Sequence, residues 1–204
     1  MAITNWKFID THELCARENM EFDKSLLELG EPTFRLYTWK ENSFTLGRSQ
    51  KKENVEKFGN DWARRETGGG LLLHGCDISY SITIPTKLLG NKNVKESYEY
   101  LCSFLLHFYK KLGLHVEYAK DINLELNKSF FCQEGFEPYD IICDGKKIGG
   151  NAQRRTKTTI LQHGSIPLKI DTREHAGYSL EEFGVNLSPK KIKDLLRQSF
   201  VELF

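Results

Sequence analysis

One dipeptide, Asp144-Gly145, limits the folds open to this chain more than any other feature of its sequence. It separates two segments, residues 139–143 and 146–153, in which apolar and polar side chains partly alternate. Asp-Gly suits the positive φ angles of a tight turn, so the sequence predicts a β-hairpin. Further strands are predicted at residues 6–10, 34–39, 44–46, 78–84, 116–118 and 158–168. Because strands outnumber helices, we expect an α+β fold, a mixed β-sheet packed with α-helices.

Helical patterns occur between these strands. Residues 94–112 give the clearest helix, because their apolar side chains recur at helical spacing and Gly113 follows as a stop signal. Ser188 and Pro189 are typical of a helix start, at the N-cap and the first helical position respectively. The other helices are predicted at residues 19–29, 54–58, 179–183 and 189–203.

Composition excludes several classes of protein. A formal net charge of +1 does not indicate a nucleic-acid partner. No apolar run reaches the roughly 18 residues of a membrane span, and residues 1–10 do not resemble a signal peptide. Five cysteines without a Cys-x-x-Cys pair favour neither a disulfide framework nor a zinc site. We therefore expect a cytoplasmic protein with reduced thiols, no metal, and neither a membrane nor a nucleic acid as partner.

Three consecutive glycines, Gly68, Gly69 and Gly70, stand just before an apolar run. Glycine is costly in backbone entropy, but it allows a ligand to lie against the main chain. Arg64 and Arg65 add positive charge on one side. The segment is not a P-loop, because no Gly-Lys-Ser/Thr follows at the required spacing. From these residues alone, a ligand-binding loop and a structural turn remain equally open.

A second glycine pair, Gly149-Gly150, lies inside the predicted strand after the hairpin turn. Glycine weakens a strand, and close approach of a ligand would explain its presence. Lys147 alternates with Ile148, so the two side chains should point to opposite faces. A lysine beside two glycines could reach a bound carbonyl group. The alternative is an ordinary solvated lysine of a hairpin.

Five short motifs, in this order, resemble those of the lipoate-protein ligase A/B and octanoyltransferase family, within the biotin/lipoate ligase superfamily. The motifs are Asn19-Met20 with Asp23, Gly47-Arg48-x-Gln50, Arg64-Arg65-x-Thr67-Gly68-Gly69-Gly70-x-x-x-His74 with Asp77 and Tyr80-Ser81, Gly145 to Gln153, and Gln162-His163-Gly164-Ser165-Ile166. The resemblance covers roughly residues 6–168. It implies a biotin/lipoyl ligase-like catalytic domain that transfers an acyl group to a lysine.

The same resemblance implies roles for individual residues. Lys147 would hold the acyl carbonyl, and an ammonium aimed at that oxygen stabilises the negative charge of the tetrahedral intermediate. The substrate-binding residues would be Arg65, Gly68, Gly69, Gly70, His74, Gly149, Gly150, Ala152 and His163. His74 or His163 could also take the proton of the attacking lysine, although either could be purely structural.

The family divides into ATP-dependent ligases and transferases that accept the acyl group from a carrier thioester. Residues 169–204 are too few for the accessory domain that the ligases carry, so we expect residues 1–204 to be a single catalytic domain without an accessory C-terminal domain. Cys132 stands in a loop seven residues before Tyr139. That placement resembles the nucleophilic cysteine of the LipM-type octanoyltransferases. A plain loop or core cysteine is the alternative.

We therefore predict catalytic roles for Cys132 and Lys147 in an octanoyltransferase of the protein lipoylation pathway. The donor would be octanoyl-acyl carrier protein. The acceptor would be a lysine of a lipoyl domain, in the glycine cleavage H protein or a 2-oxoacid dehydrogenase E2. No cofactor is expected; ATP and Mg would be required only by the alternative, a lipoate-protein ligase catalytic subunit with a separate accessory chain. A third hypothesis is a non-catalytic acyl- or lipoyl-binding protein.

Overall fold

The structure is a computed structural model that describes residues 5–53, 55–127, 129–173 and 177–204. Its main sheet has seven strands in the order β1-β2-β6-β10-β9-β8-β7, and a smaller sheet has the order β4-β3-β5. The strands are β1 (Lys7–Leu14), β2 (Thr33–Trp39), β3 (Phe44–Leu46), β4 (Trp62–Arg64), β5 (Leu72–Leu73), β6 (Asp77–Pro85), β7 (Val116–Tyr118), β8 (Ile141–Cys143), β9 (Lys146–Arg155) and β10 (Thr159–Pro167). β1 runs parallel to β2 and the other strands of the main sheet pair antiparallel, so the predicted mixed sheet is confirmed.

Three α-helices pack on the sheet: α1 (Ala16–Leu29), α2 (Val94–Lys111) and α3 (Pro189–Val201). The predicted caps of α2 and α3 are confirmed, since Gly113 has a φ of +79° and the Ser188 hydroxyl accepts from the Lys191 amide. α1 starts three residues earlier than predicted. Cys15 is its N-cap and forms a capping box with Glu18, a signal that the apolar pattern does not carry.

The main sheet has one apolar face and one polar face, and this asymmetry positions the site. On β2, Phe34 and Leu36 face α2 and α3 in the main hydrophobic core. Tyr37 and Trp39 face the other way and pack with Met20 of α1. Because side chains alternate along a strand, Ser81 of β6 and His163 of β10 lie on this second face, where both contact Asp23 of α1. Gln162 of β10 is also buried, but it points to the main core and contacts Cys102.

The short helices predicted at residues 54–58 and 179–183 are single 3₁₀ turns, Glu56–Phe58 and Glu181–Phe183, and Asn54 lies outside the described residues. The hairpin between β8 and β9 is confirmed, with Asp144 and Gly145 both at positive φ. In the described part of the chain, no helix combines the length and the apolar character needed to cross a membrane. That residues 1–204 form one catalytic domain without an accessory domain stays a prediction.

Candidate active site

The loop of residues 130–139, which we call the Cys132 loop, leads into β8 along the polar face of the sheet. Its backbone pairs with the chain just after the glycine run. The Leu71 amide donates to the Phe130 carbonyl at 2.8 Å, and the Cys132 amide donates to the Leu71 carbonyl at 2.8 Å. Cys132 is therefore held by main-chain hydrogen bonds to the glycine segment, although 60 residues separate the two in sequence.

The glycine run is required by this close approach. A Cβ added at Gly70 would stand 2.4 Å from the Phe130 carbonyl oxygen, so the Cys132 loop could not lie where it does. A Cβ at Gly69, whose φ is +96°, would lie 3.2 Å from Arg65 Nη2 and 3.5 Å from Cys132 Sγ. The first glycine, Gly68, has open space around it. Gly69 and Gly70 thus allow the Cys132 loop to lie against the main chain of the glycine run. The missing side chains also leave room in which a ligand could lie.

Cys132 lines both an inner cavity and an outer cleft. A narrow inner cavity lies on the polar face of the sheet, lined by Met20, Tyr37, Trp39, Arg65, Leu72, His74, Ser79, Cys132, Gly150, Asn151, Ala152, His163 and Gly164. An outer cleft is lined by Ser49, Gln50, Gly68, Gly69, Gly70, Asn127, Ser129, Phe130, Phe131, Cys132, Gly135 and Glu137. Cys132 lines both and therefore lies at the boundary between the outer cleft and the inner cavity.

Lys147 is buried and holds the Cys132 loop. Its ammonium donates to the carbonyl oxygens of Cys132 at 2.5 Å and Gly135 at 2.7 Å, and it lies 2.6 Å from Asp140 Oδ2. Burial raises the pKa of Asp140 to about 6, although the Lys147 charge opposes this rise. Asp140 is therefore mostly ionised near neutral pH, and the two side chains form a buried ion pair.

A β-bulge decides which residues share the face of Lys147. Ile142 pairs with Lys147 but the adjacent Ile141 pairs with Gly149, so Ile148 is an extra residue in β9. A Cβ at Gly150 would lie 3.5 Å from Cys132 Sγ and 3.6 Å from Lys147 Cε. Gly149, predicted to bind substrate, instead faces the core, where an added Cβ would meet the Tyr109 hydroxyl at 3.0 Å. Simple alternation would have paired Lys147 with Gly149.

His74 forms part of the wall of the inner cavity. Its Nδ1 lies 3.0 Å from Asp77 Oδ2, and its Nε2 lies 2.9 Å from the Thr45 hydroxyl. Burial lowers the pKa of His74 despite Asp77, so the ring is neutral near pH 7. Both ring nitrogens already have partners, and Trp39 stacks on the ring at 3.7 Å. This arrangement favours a structural role for His74 over that of a free base.

Arg65 links His74 to the glycine run. Its guanidinium donates to the Thr45 hydroxyl at 2.7 Å and to the carbonyls of Gly68 at 3.2 Å and Gly70 at 2.6 Å. Burial lowers the pKa of Arg65, and the charge interaction with Cys132 opposes this change. Arginine stays protonated in proteins, so Arg65 supplies a fixed positive charge beside the thiol.

His163 has an equivalent set of partners. Its Nδ1 lies 3.1 Å from Asp23 Oδ2 and its Nε2 lies 2.5 Å from the Thr67 hydroxyl. Burial would raise the pKa of Asp23, but the hydrogen bond from His163 and the charge of Arg35 outweigh it and lower that pKa. The ionised Asp23 and the Thr67 hydroxyl each contact one nitrogen of the His163 ring. His163 is thus also fixed at both nitrogens.

The structure brings most of the predicted site residues together around Cys132. Arg65, His74, Gly150, Ala152 and His163 line the inner cavity, whereas the three glycines line the outer cleft. Gly149 lies on the opposite face of the sheet. Their roles in substrate binding remain predictions.

Sequence reasoning missed Asp140, Thr45 and the function of Thr67 as a histidine partner. Asp140 stands just before the apolar strand β8 and contacts Lys147 of the neighbouring strand β9. The residues around Asp140 in sequence do not indicate this partner. Within the described residues, no group of three or more His, Cys, Asp or Glu side chains is placed to hold a metal ion.

One protein family and several curated proteins match most of this chain. The family described as the lipoyl protein ligase A/B catalytic domain matches residues 15–200. The octanoyltransferase LipM of Anoxybacillus flavithermus is 32% identical, over 96% of this chain and 74% of the relative. The octanoyltransferase LipM of Bacillus cereus is 34% identical, over 85% of this chain and 69% of the relative.

Solved structures show the same fold at low sequence identity. The bipartite lipoate protein ligase of Thermoplasma acidophilum, described with its E2 lipoyl domain, has a TM-score of 0.73 at 18% identity and covers 98% of this chain and 84% of its own. A lipoate-protein ligase A bound with ATP has a TM-score of 0.76 at 21% identity, with coverage of 98% and 84%. The predicted biotin/lipoyl ligase-like fold is confirmed.

Proposed function

The chain belongs to the lipoyl protein ligase A/B catalytic domain family, and we propose that it is an octanoyltransferase. It moves an octanoyl group from acyl carrier protein, through a thioester on Cys132, to a lysine of a lipoyl domain. One observation carries this proposal above the others: the Cys132 thiol stands between an outer cleft and a narrow inner cavity. The LipM relatives, which are named octanoyltransferases, support the choice of acyl group.

In the first step, the Cys132 thiolate attacks the carbonyl carbon of the octanoyl thioester. The bond from that carbon to the carrier sulfur breaks, and the carrier leaves as a thiol after taking up a proton. Arg65 places a positive charge near the Cys132 sulfur during this attack, because both groups lie against Gly69. One thioester replaces another, so this exchange is close to neutral in free energy.

In the second step, the neutral amine of the acceptor lysine attacks the acyl-Cys132 carbonyl. An amide forms, the carbon–sulfur bond breaks, the amine loses a proton, and Cys132 returns as a thiolate. An amide is more stable than a thioester, so the overall transfer needs no ATP. Acceptors of this chemistry are lipoyl domains such as those of the glycine cleavage H protein or a 2-oxoacid dehydrogenase E2.

The inner cavity has a volume of about 20 Å³ in this structure, too little for an octanoyl tail, so the side chains that line it must move apart to admit an unbranched acyl chain. An octanoyl tail buries about seven CH₂ and CH₃ groups, and at roughly 0.8 kcal/mol each this gives about 5–6 kcal/mol of binding free energy. The cavity walls include Met20, Tyr37, Trp39 and Leu72, whose side chains offer apolar surface. A chain threaded past Cys132 would place its carbonyl at the thiol and its tail among these residues.

The decisive experiment is intact mass spectrometry of the protein mixed with octanoyl-acyl carrier protein in the absence of ATP. The proposal predicts a mass gain of one octanoyl group that hydroxylamine removes and that an apo lipoyl domain accepts. A gain that requires ATP and free octanoate would instead identify a ligase, and no acylation under either condition would indicate a non-catalytic binding protein.

Two cysteine variants make the test specific. Cys132→Ser should not become acylated, because a serine hydroxyl is hardly ionised near neutral pH. Cys15→Ser is the matched control: serine is a good N-cap, so α1 keeps its cap and acylation should be unchanged. Full ATP-independent transfer by Cys132→Ser would rule out the covalent route. A cytoplasmic location, expected from the reduced cysteines, belongs to the same proposal.

A further inference from the structure

The Lys147 ammonium has no hydrogen-bond donor to spare. A lysine ammonium carries three N–H groups, and here three acceptors surround it: the carbonyl oxygens of Cys132 and Gly135 and a carboxylate oxygen of Asp140. All three distances lie between 2.5 and 2.7 Å. A fourth acceptor can be bound only if one of these three leaves.

A fourth acceptor arises when Cys132 carries an acyl group. The Cys132 sulfur and the Lys147 side chain lie against the same point of β9, at 3.5 Å and 3.6 Å from a Cβ position on Gly150. A carbonyl attached to that sulfur therefore forms within reach of the ammonium. Its oxygen becomes negative during attack, and it then competes for Lys147 with the neutral carbonyls of the Cys132 loop.

Of the three acceptors around Lys147, Asp140 is the one that keeps its contact when an acyl carbonyl arrives. Its side chain and that of Lys147 are each 3% exposed, and separating a buried ion pair leaves both charges uncompensated. Asp140 is itself fixed, since its Oδ2 accepts from the Glu137 amide at 2.7 Å and its carbonyl accepts from the Ala119 amide at 3.0 Å. The acceptors that Lys147 can release at least cost are the carbonyls of Cys132 and Gly135.

We propose that Asp140 is a positioning residue that anchors Lys147 while the ammonium exchanges the Cys132 carbonyl for the carbonyl of an acyl group on Cys132. Acylation thereby releases the Cys132 loop, and deacylation restores its attachment. The exchange couples the chemical state of the thiol to the loop that borders the outer cleft, where donor and acceptor must replace each other. The acyl-dependent part of this inference rests on the proposed function.

Hydrogen–deuterium exchange tests the anchoring without any acyl group. In Asp140→Asn, amides in residues 132–135, none of which bonds Asp140 directly, should exchange about tenfold faster than in the wild type, which corresponds to about 1.4 kcal/mol, the scale of one charge-assisted hydrogen bond. Asp144→Asn makes the same chemical change in the exposed hairpin turn and should leave this exchange unaltered. Asp140→Glu, which keeps the carboxylate, should restore part of the protection. Equal exchange in wild type and Asp140→Asn would overturn the anchoring role.

The wild-type protein tests the release. When the protein is octanoylated on Cys132, amides in residues 132–135 should exchange faster than in the unmodified protein, while Asp140→Asn should show little further change on acylation. Mass spectrometry of the same samples reports whether the acyl-enzyme has formed. An acyl-enzyme with unchanged loop exchange would overturn the coupling and leave the proposed function intact. Absence of any acyl-enzyme would contradict the proposed function and with it the acyl-dependent release.

Discussion

Gly70 lies so close to Phe130 that a Cβ on residue 70 would stand 2.4 Å from the Phe130 carbonyl oxygen and 2.9 Å from the Cys132 amide nitrogen. The contact is backbone against backbone, so no rotation of a side chain can relieve it. The position of the nucleophile candidate therefore depends on the absence of a side chain at a residue far away in sequence.

We predict that Gly70→Ala displaces the Cys132 loop and lowers octanoyl transfer strongly, with a loss of stability of about 1–3 kcal/mol from overpacking. Gly68→Ala is the matched control, because nothing lies within 4 Å of its added Cβ. Thermal unfolding and transfer from octanoyl-acyl carrier protein should be measured on both. Equal activity in the two variants would mean that the glycine run does not position Cys132.

Replacing Gly150 should separate acyl binding from folding. Gly150→Val places a branched side chain beside Cys132 Sγ in the wall of the inner cavity, where an added Cβ has ordinary van der Waals room. We expect loss of octanoyl uptake with a modest change in melting temperature. Gly149→Ala should instead keep octanoyl uptake and lower the melting temperature, because its Cβ would press on the buried Tyr109 hydroxyl. Normal uptake by Gly150→Val would place the acyl chain elsewhere.

The two neighbouring lysines provide a matched pair. Lys147→Ala leaves Asp140 buried without its cation, which typically costs about 3–5 kcal/mol, and transfer should fall by about 10²–10³-fold, as for loss of one oxyanion donor. Lys146 is exposed, with its ammonium 4.5 Å from the centre of the Tyr178 ring, so Lys146→Ala should cost about 1 kcal/mol or less. Unfolding by denaturant and single-turnover transfer measure both effects. Similar losses in the two variants would contradict the assigned directions of these side chains.

Asp140 should leave a signature in the pH dependence of stability. Its pKa is about 6 in the folded protein against a reference of 3.8, so the folded state binds this proton more tightly than the unfolded state. The resulting stabilisation is fully present below pH 3.8 and is lost as the pH rises through about 6. Lys147 and Glu137 are the charged groups that act on it.

The test compares the free energy of unfolding of Asp140→Asn with that of the wild type between pH 4 and 7. Asparagine cannot ionise, so the free energy of unfolding of the variant should rise relative to that of the wild type as the pH increases. The change should reach up to about 3 kcal/mol for a shift of about two pKa units. Asp144→Asn should give a difference that hardly changes over this range. A constant difference for Asp140→Asn would mean that the carboxyl titrates normally.

Much of this protein could be predicted from local sequence. The Asp144-Gly145 turn, the apolar stripe of α2 and the Ser188 cap act through neighbouring residues, and each is where the sequence placed it. The ordered motifs also indicated the family and included Lys147, and the place of Cys132 seven residues before Tyr139 resembled that of the nucleophile in the family's transferase branch. These signals are short-range, because turn geometry and helix periodicity depend on residues only a few positions apart.

Tertiary structure alone decided how the site residues are combined. The extra residue in β9 turns Gly150 toward the thiol and Gly149 toward Tyr109, and a bulge arises from pairing with β8 that local alternation does not reveal. All three N–H groups of the Lys147 ammonium contact the Cys132 loop or Asp140. These contacts exist because the loop folds back across the sheet. Hydrogen-bond partners of a buried charge are set by which segments meet in space, and here these are the Cys132 loop, the residue before β8 and strand β9.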